Sequence, residues 1–397
     1  MIQPIRVIVV DDSALMRRVI TGLLEQDPSI RVVATARNGR EAIDLVQELR
    51  PDIVTMDVRM PVMDGLATTE HLMAYCPTPI LVLTASLASH EVDITFKMLG
   101  AGALEVIEKP SGSDAQTLDR TGRALIRRIK VLARVKVVTH LRGRRKPTEA
   151  LSAMTFPVAN GQADKQTSRQ ADKQSGKEAP RHPITPSPGH PVTLLPGLDV
   201  PLIVIGASTG GPRVVNELLS SLPGDLRAAV LVVQHIAQGF SAGMAEWLAN
   251  ASRLPVAVAV EGQAIRVGEV LIAPDTRDLL ITCERTIHLS DSPLLMQRPS
   301  IDISMQAAAE VFGARAIGVL LTGMGRDGAY GMLTIKRSNG YTIAQDEATS
   351  TIFGMPRAAI QLGAALEVLP ATHIAPRLVE LIKQRDHAAI ARVRGVQ

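Results

Sequence analysis

Ser208 stands in Gly206-Ala207-Ser208-Thr209-Gly210-Gly211-Pro212, directly after the apolar run Leu202 to Ile205. A serine hydroxyl is a weak nucleophile unless a base takes its proton and N–H donors receive the charge that develops on the attacked carbonyl. Glycines on both sides permit a sharp turn that exposes the hydroxyl at a helix N-terminus, where free N–H groups can face an oxyanion. Two other readings of this turn stay open: a cradle for a phosphate or dinucleotide, and a tight turn without chemistry. Against the cradle, GASTGG lacks the third-glycine spacing of a dinucleotide fingerprint and the Gly-Lys-Ser/Thr ending of a P-loop.

A serine nucleophile needs a base and an acid that orients the base. His235 follows the apolar run Ala229 to Val233 through Gln234, which puts it at a strand end beside Ser208; His288 lies in a strand-like run, and His373 and His387 lie near the C-terminus. The acid is expected after the apolar run Ala316 to Leu321, in Thr322-Gly323-Met324-Gly325-Arg326-Asp327-Gly328, with Asp327 reaching His235 and the Met324 N–H helping to hold the oxyanion. Taken alone, His235 also reads as a structural histidine and Asp327 as a helix N-cap. The order Ser208, His235, Asp327 differs from the Ser, Asp/Glu, His order of α/β-hydrolases, which argues against the lipase-esterase fold.

A second cluster lies in the first third of the chain. Asp11 and Asp12 follow the apolar run Ile5 to Val10, Asp57 follows Asp52 to Met56, Thr84 ends Pro79 to Thr84, and Lys109 follows Leu104 to Ile107. Three carboxylates on one sheet edge repel one another unless a cation neutralises them, and oxygen ligands with open positions favour Mg²⁺. Asp57 could then accept a phosphoryl group, with the metal, Lys109 and the Thr84 hydroxyl balancing its charge.

These positions converge only if the apolar runs are parallel strands. The runs alternate with amphipathic stretches, which predicts a doubly wound parallel sheet with functional residues at the strand carboxyl ends. The fifth helix is expected to extend through Leu125 to Val138. Alternation stops between about Leu141 and Leu198, where Gln, Lys, Asp, Ser, Pro and Gly dominate and QADKQ recurs, and resumes at Pro201 with strands expected at 202–205, 229–233, 270–272, 316–321 and 341–344. The reading is α/β throughout: two doubly wound parallel-sheet domains, the second Rossmann-like, joined by a flexible linker. At 397 residues the chain is long enough for two cores, and 46% hydrophobic with 2% aromatic residues means that Ala, Val, Ile and Leu build them.

The net charge of +4 arises from Lys and Arg concentrated between Arg120 and Lys146, a solvated stretch rather than a nucleic-acid surface. Cys76 and Cys283 form no CxxC pair and are expected as buried thiols. The first apolar run is too short for a signal-peptide core, and no apolar stretch spans a bilayer, so a cytoplasmic location is expected.

VVDDSALMR, MDVRMPVMDG, LVLTA and EKP resemble the receiver domain of two-component response regulators, and IGASTGGP, VVQHIAQGF, RPSIDISMQAAA, LLTGMGRDGAYG and FGMPRAAI resemble the catalytic domain of CheB-type protein-glutamate methylesterases. The resemblance implies a receiver at 1–140, a linker at 141–198 and a catalytic domain at 199–390. It implies phosphorylation of Asp57 by a CheA-type histidine kinase, with Mg²⁺ held by Asp11, Asp12 and Asp57 and switching through Thr84 and Lys109. It also implies hydrolysis of γ-glutamyl methyl esters on chemoreceptors, with glutamine deamidation as a second activity, and no cofactor for the hydrolysis. Ser208 is then nucleophile, His235 base and acid, Asp327 the orienting carboxylate and Met324 an oxyanion contributor, with Thr209, Arg298 and Asp302 lining the cleft. No nucleic acid is expected, and membrane association only through receptors. Three positions depart from the family pattern: Val106 where receivers often carry an aromatic, Arg59 where an acid or amide is common, and Asp278 where relatives usually have histidine.

Overall fold

The computed structural model describes residues 3–85, 89–110, 115–135, 137, 200–292 and 298–394. The expected linker at 141–198 lies outside the described residues.

The first sheet is built from Ile5–Val10 (β1), Ile30–Ala36 (β2), Ile53–Asp57 (β3), Ile80–Thr84 (β4) and Glu105–Glu108 (β5). Its order is β2-β1-β3-β4-β5, and every neighbouring pair is parallel. Residues of β3 and β4 are buried throughout, as continuous Val/Ile/Leu runs require when helices cover both faces. The helices are Ala14–Leu24 (α1), Gly39–Leu49 (α2), Gly65–Tyr75 (α3), Ser89–Ala101 (α4) and Ala115–Leu132 (α5). The chain reverses its winding at β1, so the loops after β1 and β3 open a crevice at their carboxyl ends.

Helix α5 stops at Leu132 rather than running to Val138. Its end tightens into i→i−3 bonds, Arg134 N–H to the Val131 carbonyl and Val135 N–H to Leu132. Valines at 135, 137 and 138 lose side-chain freedom in a helix, which the amphipathic reading of the basic run underweighted.

The second sheet has seven strands in the order β14-β13-β12-β6-β7-β9-β8, again all parallel. They are Leu202–Ala207 (β6), Ala229–Gln234 (β7), Val256–Val258 (β8), Val270–Ile272 (β9), Ala316–Leu320 (β12), Tyr341–Gln345 (β13) and Glu367–Leu369 (β14). An antiparallel hairpin, Asp278–Ile281 (β10) with Ile287–Ser290 (β11), stands apart from it. The helices are Gly211–Ser221 (α6), Ser241–Ala249 (α7), Ile301–Phe312 (α8), Ala329–Arg337 (α9), Met355–Gln361 (α10) and Ala371–Arg394 (α11). The three-residue edge strands and the first hairpin strand carry too few residues to show a period, so β8, β10 and β14 escape the sequence pattern, while β11 matches the strand-like run around His288. The hairpin also explains Cys283: it lies in the β10–β11 turn and is exposed, whereas Cys76 is buried as expected.

One apolar cluster runs through both halves. Val92, Phe96 and Leu99 of α4 join Phe240, Met244 and Leu248 in it. Phe96 stacks on Trp247 with centroids 5.4 Å apart and meets Phe240 edge-on at 6.2 Å. Helix α7 approaches so closely that a Cβ on Gly243 would lie 1.9 Å from Val92 Cγ1. The chain has only five phenylalanines, three tyrosines and one tryptophan, so three of its nine Phe, Tyr and Trp rings meet at this contact. Among the described residues, no helix is long and apolar enough to cross a membrane.

Candidate active site

Strand β6 is central: β7 pairs with it on one side and β12 on the other, with Ala207 opposite Gln234 and Gly206 opposite Leu320. Ser208 therefore leaves the sheet between the β7 loop that carries His235 and the β12 loop that carries Asp327. Its N–H donates to the Thr322 carbonyl (3.0 Å), and the His235 N–H donates to the Ala207 carbonyl (3.0 Å). The Gln234 amide bridges the Ser208 carbonyl (2.9 Å) and the His235 carbonyl (2.8 Å), fixing the two turns against each other. Gly210 takes the left-handed conformation at φ 75° as the N-cap of α6, which lets the chain enter the helix immediately after Ser208-Thr209.

Asp327 is not the cap of its own helix. Gly328 caps α9, while Asp327 grips the N-terminus of α8. Its Oδ1 accepts from Asp302 N–H (2.9 Å), Gly328 N–H (3.0 Å) and Ser300 Oγ (3.2 Å), and its Oδ2 accepts from Ile301 N–H (2.8 Å) and lies 2.8 Å from His235 Nε2. Burial alone would push this carboxyl up; the His235 hydrogen bond and charge and the α8 N–H groups outweigh it and hold Asp327 below its ordinary value. His235 Nδ1 is buried and has no hydrogen-bond partner among the described residues. With Asp327 ionised, the imidazole proton belongs on Nε2, and Nδ1 keeps a lone pair able to accept a proton.

Ser208, Thr209, His235 and Arg298 line one cavity. Gly323 abuts the serine, since a Cβ there would fall 2.7 Å from Ser208 Cβ. That close approach sets the 322–328 loop against Ser208, and Met324 within it is 42% exposed. Arg298 donates to the Thr276 carbonyl (3.3 Å) and the Asp291 carbonyl (2.6 Å), so its guanidinium is anchored at the rim.

Asp302 does not line this cavity. It is buried behind Asp327 and accepts the Gly331 N–H at 2.7 Å. Burial, aided by the Asp327 charge, pushes its carboxyl up to about 6. Asp278 is likewise fully buried, with Oδ1 accepting the Ser300 N–H at 2.7 Å, because β10 turns it inward. The departure from histidine there alters the support of α8 rather than the cavity wall.

At the other site, Lys109 Nζ lies 2.7 Å from Asp11 Oδ2 and 2.9 Å from Asp57 Oδ1. Ligand atoms of Asp11, Asp12 and Asp57 fall within 4.8 Å of one another. Asp11 Oδ2 is buried and takes no hydrogen bond of good geometry, although Lys109 is close. An under-satisfied oxygen beside two further carboxylates is the donor set that a hard divalent cation such as Mg²⁺ prefers. Burial pushes Asp57 up, with Lys109 opposing; burial alone would lower Lys109, but the Asp11 and Asp57 carboxylates beside it raise it. The Lys109 N–H donates to the Thr84 carbonyl at 2.7 Å, and Thr84 is buried. Val106 packs against the shared apolar cluster, and Arg59 is exposed.

Sequence reasoning missed Glu105 and Arg128 of the first half, which line the same cavity as Ser208. Only the fold brings them there.

The family model described as CheB methylesterase matches residues 203–378, and that described as Response regulator receiver domain matches residues 7–121. A protein-glutamate methylesterase/protein-glutamine glutaminase 2 of Anaeromyxobacter dehalogenans (strain 2CP-C) is 42% identical over 382 residues, covering 96% of this chain and 98% of its own. A protein-glutamate methylesterase/protein-glutamine glutaminase 1 of Syntrophus aciditrophicus (strain SB) is 39% identical over 380 residues, covering 95% of this chain and 98% of its own. The crystal structure of the Thermotoga maritima CheB methylesterase catalytic domain is 38% identical, with 46% of this chain and 98% of that one covered and a TM-score of 0.45. A receiver match ahead of a methylesterase match, together with near full-length identity at this level, makes the chain a member of the CheB methylesterase family.

Proposed function

We propose that the chain is a phosphorylation-controlled serine hydrolase that demethylates γ-glutamyl methyl esters of chemoreceptors in chemotaxis adaptation and deamidates receptor glutamines. The observation that carries this reading is the 2.8 Å contact of His235 Nε2 with Asp327 Oδ2, made beside Ser208 and leaving Nδ1 without a partner among the described residues. In it, Ser208 is the nucleophile, His235 the base and acid, and Asp327 the carboxylate that orients the ring.

The reaction is acyl transfer. His235 Nδ1 takes the Ser208 proton as Oγ bonds to the γ-carbonyl carbon, and Asp327 stabilises the imidazolium. The carbonyl oxygen becomes an oxyanion facing backbone N–H groups, Met324 the proposed donor. The C–O bond to methoxide breaks as His235 returns the proton, releasing methanol; for a glutamine the leaving group is ammonia. Water, deprotonated by His235, then attacks the ester of Ser208 and frees the glutamate carboxylate.

In the receiver, Asp57 accepts a phosphoryl group from a CheA-type histidine kinase, with Thr84 and Lys109 as the switch residues. A Mg²⁺ held by Asp11, Asp12 and Asp57 supplies charge neutralisation of the transferring phosphoryl group. This reading places the enzyme in the cytoplasm, reaching membranes only through receptors.

Methanol release from methylated receptor membranes, with and without a small phosphodonor, tests the proposal. Wild-type release that rises with the phosphodonor, and no release from Ser208→Ala, are expected; release from Ser208→Ala at the wild-type rate would refute it.

A further inference from the structure

A carboxylate of the receiver half stands inside the cleft of the catalytic half. Glu105, the first residue of β5, accepts the Thr209 Oγ1 hydrogen at 2.9 Å through Oε2, and its Oε1 lies 3.0 Å from Arg128 Nη1 of α5. Arg128 Nη1 is itself 3.5 Å from Thr209 Oγ1, which closes a three-membered polar cluster beside the nucleophile. The Glu105 side chain is only 16% exposed and lines the cavity of Ser208, His235 and Arg298. Its carboxyl is pushed up by burial and drawn back by Arg128, Thr209 and the charge of His235. Phe96, Phe240 and Trp247 already supply apolar adhesion between the halves. A desolvated carboxylate is a costly addition to such a contact, since burying an ion pair seldom gains stability over apolar packing.

Its chemistry gives the reason. The proposed reaction ends with a glutamate γ-carboxylate in this cleft, and Glu105 is that same group on the same two-methylene stem, presented by extended backbone. We propose that Glu105 is an internal product mimic, occupying beside Thr209 the subsite that the product carboxylate of a receptor glutamate takes, and thereby excluding substrate from the unphosphorylated enzyme. Thr209 becomes the residue that binds the acyl-derived carboxylate, and Arg128 holds the mimic from the receiver side. The connection to Asp57 is short: β5 runs from Glu105 to Glu108, and the next residue, Lys109, is paired with Asp57. A change at Asp57 reaches Glu105 along about 13 Å of a single strand. The proposal rests on the reading of the chain as a glutamate methylesterase.

The test uses the full chain and two readouts. The first is labelling of Ser208 by a fluorophosphonate, followed by mass; it needs only a nucleophilic serine, so it stands even if receptor methyl esters are not the substrate. Without phosphodonor, Glu105→Ala and Arg128→Ala should label about tenfold faster than wild type, about 1.4 kcal/mol in apparent access. The second is protection by N-acetylglutamate α-amide, a soluble product side chain. It should slow labelling of Glu105→Ala and leave the unphosphorylated wild type unaffected, because the mimic already fills the subsite. Labelling of both variants at the wild-type rate would overturn the latch. Faster labelling with no protection by the product side chain would overturn the mimicry. Normal labelling and protection without any methanol release from methylated receptors would instead overturn the proposed substrate.

Discussion

His235 is held by Nε2 against Asp327 Oδ2 at 2.8 Å, which leaves Nδ1 as its free basic nitrogen, buried and without a partner among the described residues. The arrangement turns on a single proton: while Asp327 is anionic, that proton stays on Nε2. Asp327→Asn replaces an acceptor by an amide and favours the tautomer with the proton on Nδ1, where it blocks transfer from Ser208. The expected loss in kcat is on the order of 10⁴, with KM little changed, because the tautomer matters to proton transfer rather than to binding. Steady-state methanol release over a range of methylated-receptor concentrations separates the two parameters. An equal rise in KM would mean that Asp327 acts on binding instead.

Asp302 gives a pH prediction with a definite sign. Its folded-state carboxyl is raised to about 6 from an ordinary value of 3.8, burial being the main cause. A raised acid favours the folded protein while protonated, so its stability contribution is present below the ordinary value and is lost as pH climbs to about 6. Asp302→Asn does not titrate, so the variant should gain on wild type across that window by at most about 3 kcal/mol, whatever its offset at low pH. Urea unfolding of the two proteins at about pH 4 and about pH 8 measures the change.

Most of the fold is legible in the chain because parallel strands covered by helices read as unbroken apolar runs. The ends of β1, β3 and β7 fall within a residue of where those runs stop, and β6 runs two residues further, to Ala207. Ser208, His235, Asp57 and Lys109 were therefore placed by counting along strands. Asp327 was legible as a candidate, but its grip on α8 was not, since nothing in Gly325-Arg326-Asp327-Gly328 points to Ile301 and Asp302. Asp302 reversed its expected setting for the same reason: a carboxylate in a motif carries no mark of which way its helix turns it. Glu105 left no trace at all, because Thr209 is 104 residues away and only tertiary packing joins them.

Lys109 neutralises Asp11 and Asp57 from a side chain that is 9% exposed. Lys109→Met should destabilise the receiver by about 3–5 kcal/mol at neutral pH, the range for removing one partner of a buried pair. Adding millimolar Mg²⁺ or lowering the pH should recover part of this, since either relieves repulsion among Asp11, Asp12 and Asp57. Denaturant midpoints with Mg²⁺ and with a chelator provide the comparison. Asp57→Asn, by contrast, should fold normally and lose only the response to phosphodonor.

Trp247 is the only tryptophan of the chain, and it stacks on Phe96 across the contact between α4 and α7. Its emission therefore reports that contact without an added label. If phosphorylation of Asp57 releases the receiver, phosphodonor should shift Trp247 emission to longer wavelength as the ring becomes hydrated. Phe96→Ala should produce much of that shift without phosphodonor, because removing a fully buried phenylalanine costs about 3–5 kcal/mol of packing. The same variant should raise unphosphorylated methanol release, tying the optical change to access at Ser208. Emission that responds to phosphodonor in wild type but not in Asp57→Asn would assign the movement to the aspartyl phosphate. An unchanged spectrum alongside activated hydrolysis would mean that the cleft opens while α4 and α7 stay packed, with the release confined to Glu105 and Thr209.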